Sequence, residues 1–546
     1  MTYYRPIAEL KTHVVSNQPP PLENYNLYES DVVLQAAVER EGGSWARQQL
    51  MAFGKTLGSD EVLEWGRVAN REVPVLKRFD RYGHRVDEVE FHPGWHHMMR
   101  LGMEYGVHSV AWTAPAGGHV VHTALEYMLA QVEAGVCCPL TMTYAAGAAL
   151  NAAPEVAEIW RPRLQSNEYD ARCIPGEQKR SCTVGMAMTE KQGGSDIRAN
   201  STIAEPLSGD EYALTGHKWF CSAPMSDAFL TIARAPGGLT CFLVPRWTPD
   251  GKRNGIRVQR LKNKLGNRSN ASSEIEYEGA WARRIGPEGK GVRTIIEMVH
   301  HTRLDCTLAA AGIMRQATKQ AIHHAQHRSA FGAKLISQPL MMNVLADLSI
   351  ETEAATTLAF RIARAFDDSE QNPDAASFAR LAVAVGKYWV NKRVIGVVGE
   401  AMECLGGAGY VEESPMPRLY REAPLNGIWE GSGNVICLDI LRTLQRSPES
   451  GQLFLAELEL AKGCVPAFDR SLATLQTALS SPVQQGQARL LCEQMAAGLQ
   501  ASLLIRFAPT AVFELFCETR LNVAAGMAYG TLPNRASIGE LLERAG

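Results

Sequence analysis

The chain has 546 residues, of which 46% are hydrophobic, 21% charged and 7% aromatic, proportions that exclude a disordered, collagenous or purely coiled-coil protein. One core does not serve a chain of this length, so roughly three or four packing units of about 100 to 200 residues each are expected. Lys and Arg number 55 against 58 Asp and Glu, a net charge of −3, which excludes the global basic field of a nucleic-acid coat protein or a polybasic membrane binder.

Twelve cysteines are scattered without a Cys-x-x-Cys pair, as in a reduced, intracellular chain. The start, Met1-Thr-Tyr-Tyr-Arg-Pro, lacks a basic patch followed by an apolar stretch, and no apolar run approaches the ~18 residues that cross a bilayer. A cytoplasmic protein without a membrane partner is expected.

From Ser16 to Ser30 the chain is polar and broken by Pro19-Pro20-Pro21, which predicts an extended surface arm. Residues 31 to about 180 read as helices: Asp31 to Glu39 and His122 to Ala134 carry apolar residues at three-to-four spacing, with breaks at Pro154, Pro162 and Pro175. The pattern changes near Ser181. Tyr212 to Phe220, Phe229 to Ala233, Thr240 to Val244 and Ser273 to Tyr277 are short β-branched and aromatic runs, punctuated by Ser208-Gly209-Asp210, Pro236-Gly237-Gly238 and Asp250-Gly251, as in a small β-barrel or sandwich.

Helical periodicity returns after Gly286-Pro-Glu-Gly-Lys-Gly291. Its clearest start is Asn372-Pro373, where Asn can take up free N–H groups and Pro needs none; Gly406-Gly407 marks the stop. That rod, 33 residues at ~1.5 Å each, is about 50 Å long and suits a helical bundle. The expected architecture is mainly α with a central β-barrel: a helical domain with its arm (1–182), the barrel (183–284), a helical bundle (285–445) and a further helical domain (446–546).

Five stretches could carry chemistry. Met188-Thr189-Glu190-Lys191-Gln192-Gly193-Gly194-Ser195-Asp196 combines glycines that let a planar or phosphorylated ligand approach with hydroxyls that can meet it; by itself it suits a polar turn equally well. In Gly216-His217-Lys218-Trp219-Phe220-Cys221-Ser222, strand alternation puts Phe220 and Ser222 on one face. His327-Arg328-Ser329-Ala330-Phe331-Gly332, with Gln338-Pro339 behind it, offers a guanidinium for pyrophosphate and a ring for packing. Glu403-Cys404-Leu405-Gly406-Gly407 is the fourth. In the fifth, Ile428-Trp429-Glu430-Gly431-Ser432-Gly433-Asn434, a carboxylate desolvated by Trp429 would have the raised pKa that a base for a weakly acidic C–H requires. The pairs His92/His96 and His323/His327 have i, i+4 spacing, but no nearby carboxylate or Cys set completes a site, so no metal is expected.

In order and spacing, these stretches resemble the acyl-CoA dehydrogenase superfamily over about residues 90 to 445. Lys264-Leu265-Gly266-Asn267-Arg268-Ser269, Gly286 to Gly291 and Arg303-Leu304 are similar as well. The resemblance implies FAD as cofactor. Met188, Thr189, Gly194, Ser195, Phe220, Cys221, Ser222 and Trp429 would meet the flavin and its surroundings. Arg328, Phe331, Gln338, Glu403, Gly406 and Gly407 would bind adenine and pyrophosphate across a dimer contact, with Ser432 and Asn434 completing the adenosine site. Ser195 and Arg303 would touch substrate. Glu430 falls on the family's usual base, and the alternative position for that base holds Thr302. The implied reaction is removal of an α-proton from an acyl-CoA thioester with β-hydride transfer to the flavin, in a homotetramer.

Further features resemble the branch of that superfamily tied to the bacterial adaptive response to DNA alkylation: Asn17-Gln-Pro-Pro, Lys191-Gln192 where dehydrogenases carry Pro-x-Ala, Lys264 to Ser272, Trp429 in place of tyrosine, and the block after residue 445. That branch implies double-stranded DNA as a partner of the C-terminal domain, with Arg442 and Arg520 contributing to a basic channel. From Arg446 to Gly546, however, eight Arg or Lys face nine acids, whereas DNA-binding modules usually carry a basic excess. Two functions stay open at this point: a dehydrogenase of small or branched acyl-CoA, and a DNA-binding protective flavoprotein with little turnover.

Overall fold

The computed structural model describes residues 7–114, 116–521 and 538–545; Arg535, included in the charge count above, lies outside them. From Ser16 to Asn24 the arm has no helix or strand and is mostly exposed, whereas Leu27 and Tyr28, expected on the surface, turn into the core, and the arm is tied down by specific bonds. Asn17 exchanges hydrogen bonds with Ser329 (2.7 and 2.8 Å), the Arg328 guanidinium donates to the Asn17 carbonyl (2.6 Å), and His323 bonds the Pro20 carbonyl at 2.8 Å.

Helices follow from Val32–Arg40, where Asp31 takes the Leu34 N–H, to Pro154–Leu164. A two-stranded hairpin interrupts them, β1 (Val75–Phe79) and β2 (Arg85–Glu90). It departs from the helical expectation because the Asp80 carboxylate gathers the Tyr82 and His84 N–H groups while Gly83 takes φ +86°, so the chain reverses in a tight turn.

The central sheet has strands β3 (Val184–Ala187), β4 (Ile203–Pro206), β5 (Glu211–Ser222), β6 (Ala228–Ala235), β7 (Gly238–Pro245), β8 (Ile256–Leu261) and β9 (Ser272–Ile285). Pairings β4–β5, β5–β9, β9–β7, β7–β6 and β6–β4 return to their start. That ring is the barrel, and its interior packs Tyr212, Phe229, Phe242 and Tyr277.

Behind it run the bundle helices Gly291–His327, Pro339–Asp368 and Pro373–Cys404. Asn372 caps the last by accepting N–H groups of Asp374 (3.0 Å) and Ala375 (3.4 Å), as its sequence predicts. The Pro448–Glu459, Pro466–Leu479 and Ala488–Phe507 helices follow. Besides the barrel interior, the described residues form two apolar cores, and the larger joins residues from Leu34 to Val132, the bundle and the C-terminal helices. A second cluster joins the Cys137–Leu150 helix to the barrel. Among the described residues no helix is long and apolar enough to cross a membrane.

Candidate functional site

A cavity of about 960 Å³ lies where the barrel edge meets the bundle. Met188, Thr189, Gly194, Ser195, Phe220 and Ser222 line its barrel side; Thr302, Arg303 and Asp305 come from the Gly291–His327 helix; Trp429, Glu430 and Ser432 come from the turn before the Gly433–Arg446 helix.

The barrel side is held by a buried ion pair. The Glu190 carboxylate accepts from Lys218 Nζ (2.8 Å), from the N–H groups of Ser201 (2.6 Å) and Thr202 (3.2 Å), and from Gln192 Nε2 (2.7 Å). Burial alone would raise its pKa, but the Lys218 ammonium and these donors hold it at about 2. With the Trp219 N–H bonded to the Thr189 carbonyl at 2.7 Å, the turn is clamped onto β5 and presents Thr189, Gly194 and Ser195 to the cavity. At Gly194 a Cβ would stand 3.2 Å from the Thr189 methyl, so a side chain would crowd that surface.

On β5, pairing with β9 slips between Lys218 and Cys221. Phe220, 46% exposed, and Ser222 then face the cavity, whereas Cys221 is fully buried in the barrel interior. The expectation for the Cys221 side chain is corrected accordingly, since alternation that delivers its two neighbours turns it away. Lys264 Nζ reaches the Ser272 hydroxyl (2.9 Å), which lies 3.1 Å from that of Ser222. Burial lowers the Lys264 pKa to about 8.

Glu430 sits in the left-handed region at φ +58°, followed by Gly431 at +103°; for a non-glycine residue such a conformation costs of order 1 to 3 kcal/mol and persists only where its surroundings impose it. They do. Lys387 Nζ donates to the carbonyls of Trp429 (2.8 Å) and Gly431, and Arg303 Nε donates to the Glu430 carbonyl at 3.1 Å. Asp439 in turn anchors Arg303 (2.7 Å) and Arg380 (3.2 Å). The carboxylate accepts from the Thr302 hydroxyl at 2.8 Å. Burial raises its pKa, against the pull of Thr302, Lys387 and Arg303. Arg303, expected at the substrate, lines the cavity and also holds the Glu430 turn. Sequence reasoning missed Lys387, whose signal is a lone cation inside the apolar run Val383 to Val390.

Residues 17–171 match the adaptive response protein AidB N-terminal domain, 185–280 the acyl-CoA dehydrogenase middle domain and 289–445 the acyl-CoA dehydrogenase C-terminal domain. Over 520 residues the chain is 46% identical to AidB of Escherichia coli (strain K12), covering 95% of this chain and 96% of that one. The chain belongs to the acyl-CoA dehydrogenase family, in its AidB branch. Acyl-CoA dehydrogenase family member 11 of Caenorhabditis elegans is 32% identical over 505 residues, 89% of this chain and 81% of its own. The crystal structure of C. elegans ACDH-11 in complex with C11-CoA superposes with a TM-score of 0.85 at 29% identity, covering 96% of each chain.

FAD is the cofactor of this acyl-CoA dehydrogenase fold, and the cavity fits it. Phe220, Met188 and Trp429 supply apolar faces for a flat ring, while Thr189, Ser195, Ser222 and Ser432 bring hydroxyls to the same space. Other predicted FAD residues lie elsewhere. Arg328, Phe331, Gln338, Glu403, Gly406 and Gly407 line no wall of this cavity, and Phe331 is 98% exposed. Asn434 also stands outside the lining, its amide oxygen taking the Arg489 Nε–H at 2.9 Å. Of the two arginines expected on DNA, Arg520 is corrected: its guanidinium donates to Asp347 and, at 3.1 Å, to Glu351 inside the chain. Arg442 lies at the cavity mouth, its side chain 55% exposed.

Proposed function

We propose that this chain oxidises a small or branched acyl-CoA at Cα–Cβ, with Glu430 as the base. The observation that carries the reading is the Glu430 carboxylate, held in the cavity by Thr302 on a backbone clamped by Arg303 and Lys387. The chain's own groups then have distinct tasks. The Glu430 N–H, which bonds to no backbone carbonyl among the described residues, is available to the thioester oxygen and stabilises the charge that develops there. The ionised carboxylate takes the α-proton, its raised pKa matching it to a weak carbon acid. Once bound, FAD supplies the acceptor for the β-hydride. Recording the visible spectrum during anaerobic addition of isovaleryl-CoA and butyryl-CoA tests this: the flavin band of the wild type should bleach, and a yellow protein that neither thioester bleaches would remove the dehydrogenase reading.

Thr302→Val is expected to move the acid limb of kcat/KM upward by about one pH unit, the equivalent of one lost hydrogen bond to a charged group. The sign follows from the direction of the bond: Thr302 favours ionised Glu430, so losing it raises the pKa, and the base must be ionised to act. An unmoved limb would mean that another group titrates.

Around the mouth stand Arg198, Lys290, Arg293, Arg442 and Arg446, a rim suited to the phosphates of CoA. Replacing Arg442 and Arg446 together with Ala is expected to raise KM for an acyl-CoA about tenfold with kcat little changed, since the rim binds ground and transition states alike. The same rim favours the second reading, a salt-sensitive contact with duplex DNA backbone; duplex titration at several salt concentrations, with and without these two arginines, decides between them. A cytoplasmic homotetramer belongs to the proposal, supported by Phe331, Leu340 and Tyr410, which are 98%, 83% and 81% exposed, beside the FAD residues that line no wall of their own cavity.

A further inference from the structure

The shielded side of the cavity is polar in an unexpected way. Glu126 and Asp305, exposed by only 1% and 2%, line it together with Cys137, Cys306, Ala309 and Ile313. Asp305 stands about one helical turn beyond Thr302, the residue that holds Glu430. Each carboxyl spends one oxygen inside the protein: Glu126 Oε1 accepts from Thr141 Oγ1 at 2.7 Å, and Asp305 Oδ1 lies 2.9 Å from His122 Nε2. His122 is itself oriented by its Nδ1–H, which donates to the Val107 carbonyl at 2.6 Å. The other two oxygens, Glu126 Oε2 and Asp305 Oδ2, are buried and meet no donor among the described residues; His122 Nε2 stands 3.6 Å from the former, beyond bonding reach. An alkyl tail pressed against them would offer no donor, so that only a proton held between the two carboxyls could pair them, with any remaining negative charge left against hydrocarbon, a cost that an apolar pocket end would not carry.

We propose that this pair of carboxyls receives a hydrogen-bond donor at the far end of the substrate's acyl chain, so that the preferred thioester carries a terminal amine or hydroxyl and not a methyl. This rests on the acyl-CoA reading above and narrows it. Burial raises the pKa of both carboxyls, and each is also influenced by the other, so in the absence of a donor the pair can hold a proton between them. A donor-bearing tail replaces that shared proton with its own bonds. Sites built to bond a substrate OH or NH discriminate strongly against analogues lacking it, because their polar groups are then stranded.

Three matched thioesters test the inference on the intact FAD-loaded protein: hexanoyl-CoA, 6-hydroxyhexanoyl-CoA and 6-aminohexanoyl-CoA. They are compared by the rate of anaerobic flavin bleaching and by the concentration giving half the spectral change. The expected result is a preference of about 10- to 100-fold for one of the donor-ended tails over hexanoyl-CoA. If the amine leads, the pair works as an anion; if the hydroxyl leads, it works as a neutral acceptor. Glu126→Gln and Asp305→Asn should each shrink the ratio between donor-ended and plain tails, a readout that survives a change in overall rate. Equal or better use of hexanoyl-CoA overturns this inference while leaving the dehydrogenase reading intact. Failure of all three thioesters, with butyryl-CoA and isovaleryl-CoA also inert, overturns both. One divalent metal per chain in the purified protein, removed by Asp305→Asn, would likewise overturn the inference by assigning the same oxygens to an ion.

Discussion

Glu430→Gln should yield a folded, yellow protein whose flavin band acyl-CoA no longer bleaches, with proton abstraction slowed by about 10² to 10⁴, the usual worth of a positioned base. The amide keeps the shape of the side chain, and the clamp by Arg303 and Lys387 acts on backbone carbonyls, so the turn should persist. Stability has a definite sign too. The folded chain raises the Glu430 pKa, so ionising this group above that pKa works against folding. At neutral pH the glutamine variant should therefore melt at the same temperature as wild type or higher. Loss of bleaching together with a fall in melting temperature would point to a structural role for Glu430, and bleaching at the wild-type rate would place the base elsewhere.

Lys218→Met carries the largest expected effect on stability. The variant leaves the Glu190 carboxylate buried without its cation, and breaking a buried pair from one side costs about 3 to 5 kcal/mol. Because Glu190 anchors the turn that presents Thr189 and Ser195, FAD should also leave more readily, which released flavin fluorescence will report. The pH dependence follows from a folded pKa of about 2, depressed from 4.5. Such a group stabilises the fold fully above about pH 4.5, and its contribution disappears as pH falls through 2. In Lys218→Met that acid-sensitive part should shrink. Adding Glu190→Gln to Lys218→Met should recover part of the loss, and a double variant as unstable as the sum of both single variants would show that the pair does not interact.

Much of the molecule is legible along the chain because its signals are local. The Asn372-Pro373 start needs only the bond from the Asn372 side chain to the next N–H groups. The four β runs stand out because alternation and turn residues are read within ten residues or so. The hairpin at Val75–Phe79 and Arg85–Glu90 escapes that reading, since its five- and six-residue strands lie between helices and its turn depends on one carboxylate. The stretches around Thr189, Phe220 and Glu430 are visible as motifs, yet only the barrel edge and the bundle bring them to one cavity.

The sequence by itself determined the family-like order of helices, barrel and bundle and singled out the stretches around Thr189, Phe220 and Glu430, because each depends on residues close together in the chain. Tertiary structure alone decided that Cys221 turns inward, that Arg303 holds the Glu430 carbonyl, that Arg520 is spent on Asp347 and Glu351, and that Glu126 meets Asp305 across 179 positions. Those outcomes are pairings between distant elements. A charge's role depends on which opposite charge or carbonyl the fold sets within 3 to 4 Å of it, and chain spacing carries no record of that distance.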